Sequence, residues 1–440
     1  FESVFSMAVE LQWREDHFLE LLGKVLGESQ HVQNNPSQGL CPREELVARH
    51  VLDVLRPLST ENGGPLKIEI KEYVSGRPNI VVTYPGTGDK TVALVGMHMD
   101  VVPADPKEWD FNPFELTRDG DEIRGRGTTD CLGHVALVTR FMAQLAESAP
   151  ALKRSVIAVF ISDEECGDGK TGLEPVVADG CLSKAKAGPM YWVDVAETQP
   201  CIGTGGVTTW ELTAEGRTEG VAQHSAFAND AINAMELAMD AMQSVQEEFY
   251  RLYPPQDVES DYGFTCPSTM KPTQWVYPAR ASASTIPHTC TIRGDIRMSP
   301  FYDLDGCQAK LVGFTESIDV GKLGSRGPVS KYVLDDGTRG KVTLTFLERG
   351  MRGYYANKDG EAVDVLLNAV KDVVGTAKPY SVTGSLPCIA DLKAEGFDVC
   401  CTGFGSMSYY HANNERASLA AFKNGFFVLQ NTVNHANSRE

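Results

Sequence analysis

Three short, almost uninterrupted apolar runs constrain this chain most: Thr91 to Met97, Ser155 to Ile161 and Met190 to Val193. Runs of this length without polar alternation belong to strands covered on both faces. Ile80-Val81-Val82 adds a further β-rich stretch. Helical patterns lie around them. Phe18, Leu21, Leu22, Val25 and Leu26 share one face of a helix that Asp16 is expected to cap and Gly27 to end. Pro42 is expected to open a second helix carrying Leu46, Val47, Val51 and Val54, and Leu132 to Ala146 reads as a third. Strands alternating with helices predict an α/β fold with a mixed central sheet covered by helices.

The pattern changes at Gly203-Thr204-Gly205-Gly206, which reads as a crossing between domains. A strand (Trp210 to Ala214), a long helix (Ala231 to Leu252) and the alternating run Thr291 to Arg297 follow. A helix over Asp303 to Ser317 and a strand over Lys341 to Phe346 complete a βαββαβ-like series, enough for a smaller α+β domain. Tyr253 to Pro272, rich in Pro, Asp and Ser, reads as a loop insertion. Met235, Met239 and Met242 stand at helical spacing, as core or dimer packing. Alternation then returns with a helix over Ala362 to Val374 and a strand over Phe397 to Phe404. The expected domains are therefore 1–203 with 351–440, and an insertion of 204–350.

Charge narrows the partners. With 40 basic and 59 acidic residues the formal charge is −19, which opposes nucleic-acid binding because phosphate contacts need a basic face. No stretch approaches the ~18 apolar residues of a membrane helix. The first twelve residues lack the basic and apolar regions of a signal peptide. Phe1 to Ser6 read as a scar or truncated leader ahead of Met7, which leaves an upstream targeting segment open. The 11 cysteines show no CxxC pair and no framework spacing, the usage of a reducing, cytoplasmic compartment.

The chemistry gathers at the strand ends. The first buried run ends in His98-Met99-Asp100, the second in Asp163-Glu164-Glu165, the third in Asp194. Asp130 follows Gly125-Arg126-Gly127-Thr128-Thr129 where the third helix begins, and His411 lies beyond the last strand. In open α/β sheets, ligands bind outside the carboxyl ends of the strands. Converging carboxylates repel and desolvate badly, and a dication removes that cost. Imidazole with carboxylate suits Zn²⁺, or Co²⁺ and Mn²⁺ in a looser site. A bridging carboxylate, with one His and one further carboxylate per metal, makes a two-metal hydrolytic site. Asp100 can orient His98 through its other ring nitrogen. Glu164 and Glu165 cannot point the same way, so one can bind metal while the other acts as general base. Each motif alone is more often a solvated turn; only their succession at strand ends favours metal.

Gly96-Met97-His98-Met99-Asp100-Val101-Val102-Pro103, Gly125 to Asp130 and Ser162-Asp163-Glu164-Glu165 resemble the metal, bridging-aspartate and catalytic motifs of the M20 metallopeptidase family. The resemblance spans nearly the whole chain. It is nearest to the plant-type branch that deacetylates N²-acetylornithine, through Val32 to Pro36, Pro267 to Trp275 and Arg326 to Leu334. It implies a zinc-peptidase-like catalytic domain with an inserted lid, also used for dimerisation. It implies two Zn²⁺ per site, with Co²⁺ as a substitute: His98 and Asp194 on one, Glu165 and His411 on the other, Asp130 between. Glu164 is then general base and proton donor, and Asp100 orients His98. His224, in Gln223-His224-Ser225, resembles a lid histidine that polarises the scissile carbonyl, often from a second subunit. Arg297 matches a lid arginine that holds a substrate carboxylate. The implied partners are a small N-acyl amino acid and a second copy of the chain.

Some positions depart from the family. Asp194 stands where many deacylases carry Glu. Ser284-Thr285 replace a substrate-binding Asn before Ile286-Pro287, making Ser284 the candidate contact. Cys131 and His134 follow Asp130 where relatives differ, and Cys131 reads as packing. Gly169-Lys170-Thr171 fails as a phosphate loop because Glu164 stands where glycine is required. Two alternatives remain: another N-acyl-amino-acid amidohydrolase or carboxypeptidase of this family, and a non-catalytic binding homologue.

Overall fold

A computed structural model describes residues 8–167, 169–194, 197–218, 230–276, 285–324, 327, 330–347 and 350–439. The chain divides into two compact units. One comprises Phe1–Ile202, Ala356–Tyr380 and Pro387–Glu440; the other comprises Gly203–Tyr355 and Ser381–Leu386.

The larger unit is built on a mixed sheet. Its strands run in the spatial order Lys67–Val74, Arg77–Tyr84, Ser155–Ile161, Thr91–His98, Pro189–Val193, Asp398–Thr402. The first three pair antiparallel, and the last four run parallel to one another. Every residue of Thr91–His98 and of Pro189–Val193 is buried, as their continuous apolar sequences require. Helix Leu132–Ser148 covers the sheet, and helices Glu15–Gly27 and Glu45–Leu55 pack on it. Helices Glu361–Val374 and Leu419–Asn437 pack together.

Helix starts shift from their expected places. The first helix begins at Glu15, and its N-cap Arg14 makes no side-chain cap bond, so Asp16 serves the first turn rather than the cap. The second begins at Glu45, three residues beyond Pro42. Its buried face is Val47, Ala48, Val51, Leu52 and Leu55, rather than a stripe through Leu46 and Val54.

In the smaller unit, four antiparallel strands run in the order Thr269–Val276, Thr289–Met298, Gly206–Glu215, Lys341–Phe346. Gly206–Glu215 alternates strictly between buried and half-buried positions, the signature of one face on a core. Trp210, Leu212 and Ala214 meet Leu237, Ala238, Ala241, Val245 and Phe249 of helix Ala234–Leu252 in that core. That helix starts later than Ala231 because the Asn233 carboxamide accepts the Met235 N–H, a side-chain cap. Met242 is buried and Met235 packs partly, but Met239 is exposed. The expected loop from Tyr253 to Pro272 contains a short helix, Asp257–Asp261, and the first half of an edge strand. Exposure masked that strand, since only Met270 of its eight residues is buried.

Candidate metal centre

Three neighbouring parallel strands carry the first candidate donors. His98 is the last residue of Thr91–His98; Asp163, Glu164 and Glu165 follow Ser155–Ile161 on one side; Asp194 follows Pro189–Val193 on the other. Backbone bonds extend the sheet into the site: Met99 N–H donates to the Ile161 carbonyl at 2.9 Å and Asp194 N–H to Thr402 at 3.0 Å.

Asp130 is the centre. His98 Nε2 lies 2.8 Å from its Oδ1 and His411 Nε2 lies 3.0 Å from its Oδ2. Each imidazole also faces a second carboxylate. His411 Nε2 is 3.0 Å from Glu165 Oε2, and His98 Nε2 is 3.6 Å from Asp194 Oδ1. Behind the ring, His98 Nδ1 is 3.0 Å from the Asp100 backbone carbonyl and 3.1 Å from its Oδ1. The Asp100 carboxylate also accepts the backbone N–H of Glu164 and of Glu165, each at 3.2 Å. His411 adopts left-handed backbone, φ 55°, an uncommon conformation for a non-glycine residue.

The electrostatics follow from burial against charge. Burial works to raise Asp130, but hydrogen bonds from His411 and His98 hold it well below the carboxylate range. Burial, with the Asp130 charge, pushes Glu165 up to about 7 against the His411 bond. Glu164 has only its burial and repelling carboxylates to weigh against the His98 charge, and is driven far up. Burial presses His411 down, yet Asp130 and Glu165 raise it to about 11. The cluster thus offsets its carboxylates with protons on imidazoles, a role a dication fills with more charge. Two atoms show the same lack: Glu165 Oε1 and Asp194 Oδ1 are buried without a hydrogen-bond partner among the described residues. Donors of His98, Asp130 and Glu165 all lie within 4.8 Å of one another. The residue set fits divalent cations.

Further residues shape the site, and one of them, Cys131, brings its sulfur within 4.8 Å of ligand atoms of His98 and Asp194. Glu415, four residues past His411, accepts Arg126 Nη1 at 2.6 Å and the N–H groups of Gly127, Thr129 and Asp130 at 3.0, 2.8 and 3.0 Å. Trp192 Nε1 donates to Asp194 Oδ2 at 3.0 Å. That indole lies on Gly96 so closely that a Cβ there would stand 2.7 Å from the ring, and Gly96 has φ +92°. Asn34 Nδ2 donates to Asp100 Oδ2 at 2.8 Å and to Asp163 Oδ1 at 2.6 Å. The sequence carried one faint signal among them: Asn34 falls in Val32 to Pro36, a stretch marked for its resemblance. Cys131 is buried, with its sulfur 3.8 Å from the carbonyls of Gly96 and Val193. His134 is equally buried, and its Nε2 accepts the Phe404 N–H at 2.8 Å.

The lid candidates stand apart from this account. Arg297 belongs to the smaller unit, where its Nε donates to Asp295 Oδ2 at 2.8 Å. His224 and Ser284 lie outside the described residues.

An α/β sheet with imidazoles and carboxylates meeting at adjacent strand ends defines a metal-dependent hydrolase. The chain belongs to the M20 peptidases: the profile of Peptidase family M20/M25/M40 matches residues 94–435. It is 50% identical over 421 residues to the acetylornithine deacetylase of Arabidopsis thaliana, covering 94% of each chain. It is 42% identical over 436 residues to that of Dictyostelium discoideum, covering 95% of this chain and 96% of the relative. Its fold is similar to that of human carnosine dipeptidase 1, at a TM-score of 0.67, 15% identity and 97% coverage of both chains.

Proposed function

We propose that this chain hydrolyses N²-acetyl-L-ornithine to L-ornithine and acetate, the deacetylation step of arginine biosynthesis. Asp130 supports the metal part of this reading, with an imidazole on each carboxylate oxygen and the orphaned oxygens of Glu165 and Asp194 beside it. The two relatives that match almost end to end support the substrate.

His98 and Asp194 would hold one cation and Glu165 and His411 the other, with Asp130 shared; Zn²⁺ suits this donor set, and Co²⁺ would substitute. Bound cations would supply Lewis acidity toward the acyl carbonyl and acidify water. Glu164 sits beside these donors without being one, on the turn whose N–H groups Asp100 holds. With cations neutralising the neighbouring carboxylates, the Glu164 carboxyl would be ionised; it would take a proton from the attacking water and return it to the amine nitrogen as the C–N bond breaks. His224 would stabilise charge on the acyl oxygen, from its own or a partner subunit. Arg297 and Ser284 would contact the substrate. The 204–350 segment would act as lid and as the face of a homodimer. Exposed Trp275 and Val276 on the edge strand Thr269–Val276 favour such a face.

The test is release of acetate from N²-acetyl-L-ornithine with and without chelator, beside other N-acyl amino acids and dipeptides. Chelator-sensitive turnover greatest on acetylornithine is the expected result. Preference for another acyl amino acid or a dipeptide would move the chain to a different activity of its family. Glu164→Gln is expected to keep its metal and lose roughly 10³-fold in kcat; retained kcat would remove Glu164 from the mechanism.

A further inference from the structure

Residues 32–34 run beside the segment that leaves the His98 strand. Val101 N–H donates to Val32 O at 3.0 Å, and Asn34 N–H donates to Val101 O at 2.9 Å. This backbone clasp aims the Asn34 side chain, which is 4% exposed, at the rear of the metal centre. There its one amide nitrogen spends both hydrogens on carboxylates, at 2.8 Å to Asp100 and 2.6 Å to Asp163. The nearby cation Arg77 is committed to Glu44, with contacts of 2.5 to 3.0 Å, and reaches Asp163 only at 3.4 Å.

The amide orientation is fixed by charge. Asn34 Oδ1 is buried without a hydrogen-bond partner among the described residues. Turning the amide over would aim that oxygen at two carboxylates, a worse arrangement than leaving it unpaired. Asp100 in turn touches everything that matters nearby: the His98 ring and the backbone of Glu164 and Glu165.

We propose that Asn34 is a positioning residue of the metal centre, clamping Asp100 to Asp163 and thereby setting the His98 ring and the Glu164–Glu165 turn in mutual register. Asn34 touches neither substrate nor metal and acts through Asp100. The inference rests on the reading of His98 as a ligand and Glu164 as the base, and is independent of which amide is cleaved.

The experiment compares full-length wild type, Asn34→Ala and Asn34→Asp. Metal affinity is measured by competition with a chromogenic chelator, and kcat and KM on the best N-acyl amino acid of the wild type. Asn34→Ala is expected to lose about tenfold or more in metal affinity, the scale for losing a partner that orients a ligand. Its kcat should fall while KM moves little. Asn34→Asp keeps the shape and removes both donors, so its kcat should fall at least as far as that of Asn34→Ala. Wild-type metal affinity in Asn34→Ala, or wild-type kcat in Asn34→Asp, would overturn the proposal. So would a lowered thermal midpoint with unchanged affinity and kcat, which is what mere packing predicts. If wild type ignores acetylornithine yet Asn34→Ala binds metal weakly, the substrate reading fails and this one stands.

Discussion

The carboxylate of Glu415 is fully buried and gathers Arg126 and the backbone of Gly127, Thr129 and Asp130. Replacing it by Ala would leave the Arg126 guanidinium, 1% exposed, without its counter-charge. The expected cost is roughly 3–5 kcal/mol in denaturant unfolding, the scale for breaking a buried ion pair from one side. No sequence pattern announces such a residue, because receiving backbone N–H groups requires only a carboxylate in the right place. His134 makes a different prediction. Burial lowers its pKa to about 4, and its Nε2 accepts the Phe404 N–H. The folded state thus binds fewer protons than the unfolded one between about pH 6.5 and 4. Its contribution is present above pH ~6.5 and lost as pH falls through that window, by up to ~3 kcal/mol. His134→Gln retains an acceptor near Nε2 and cannot titrate, so its stability should fall less steeply over that range. Equal slopes would show that other groups carry the acid sensitivity.

At the level of elements, the strand Thr91–His98 joins sequence to site. Gly96, at φ +92°, admits the Trp192 indole of the adjacent strand, and the indole N–H steadies Asp194. Trp192→Phe keeps most of the ring and removes that donor. It should weaken metal binding by ~10- to 100-fold in a chelator competition with little loss of fold; unchanged affinity would mean Asp194 needs no such partner. This strand and Ser155–Ile161 were legible because both faces are covered, so nearly every residue is apolar. Thr269–Val276 was not legible, since it is an edge strand with Pro272 inside and most residues exposed. His98, Glu165 and Asp194, the proposed donors, lie at or just past strand ends, because parallel strands put those ends on one edge of the sheet. Asn34 was not legible as a participant, because its clasp on Val101 is a tertiary contact.

For the whole molecule, the carboxylates crowded around Asp130 make cation removal a stability question as well as a catalytic one. Each site loaded at about a hundredfold excess over its Kd stabilises the folded state by about 2.7 kcal/mol. Chelation should therefore lower the thermal midpoint measured by calorimetry, and re-addition of Zn²⁺ should restore it. A midpoint indifferent to chelator would contradict tight cation binding. Reductant should have no comparable effect, since none of the 11 cysteines is joined in a disulfide among the described residues. Among the described residues no helix is long and apolar enough to cross a membrane. The proposed donors His98, Asp130, Glu165 and Asp194 precede the inserted unit, and His411 follows it. During translation, then, four donors leave the ribosome well before the fifth, and more than 150 residues of another folding unit emerge in between. Until that final stretch emerges the nascent chain holds His98, Asp130, Glu165 and Asp194 without His411, so loading of the complete set can only follow its synthesis.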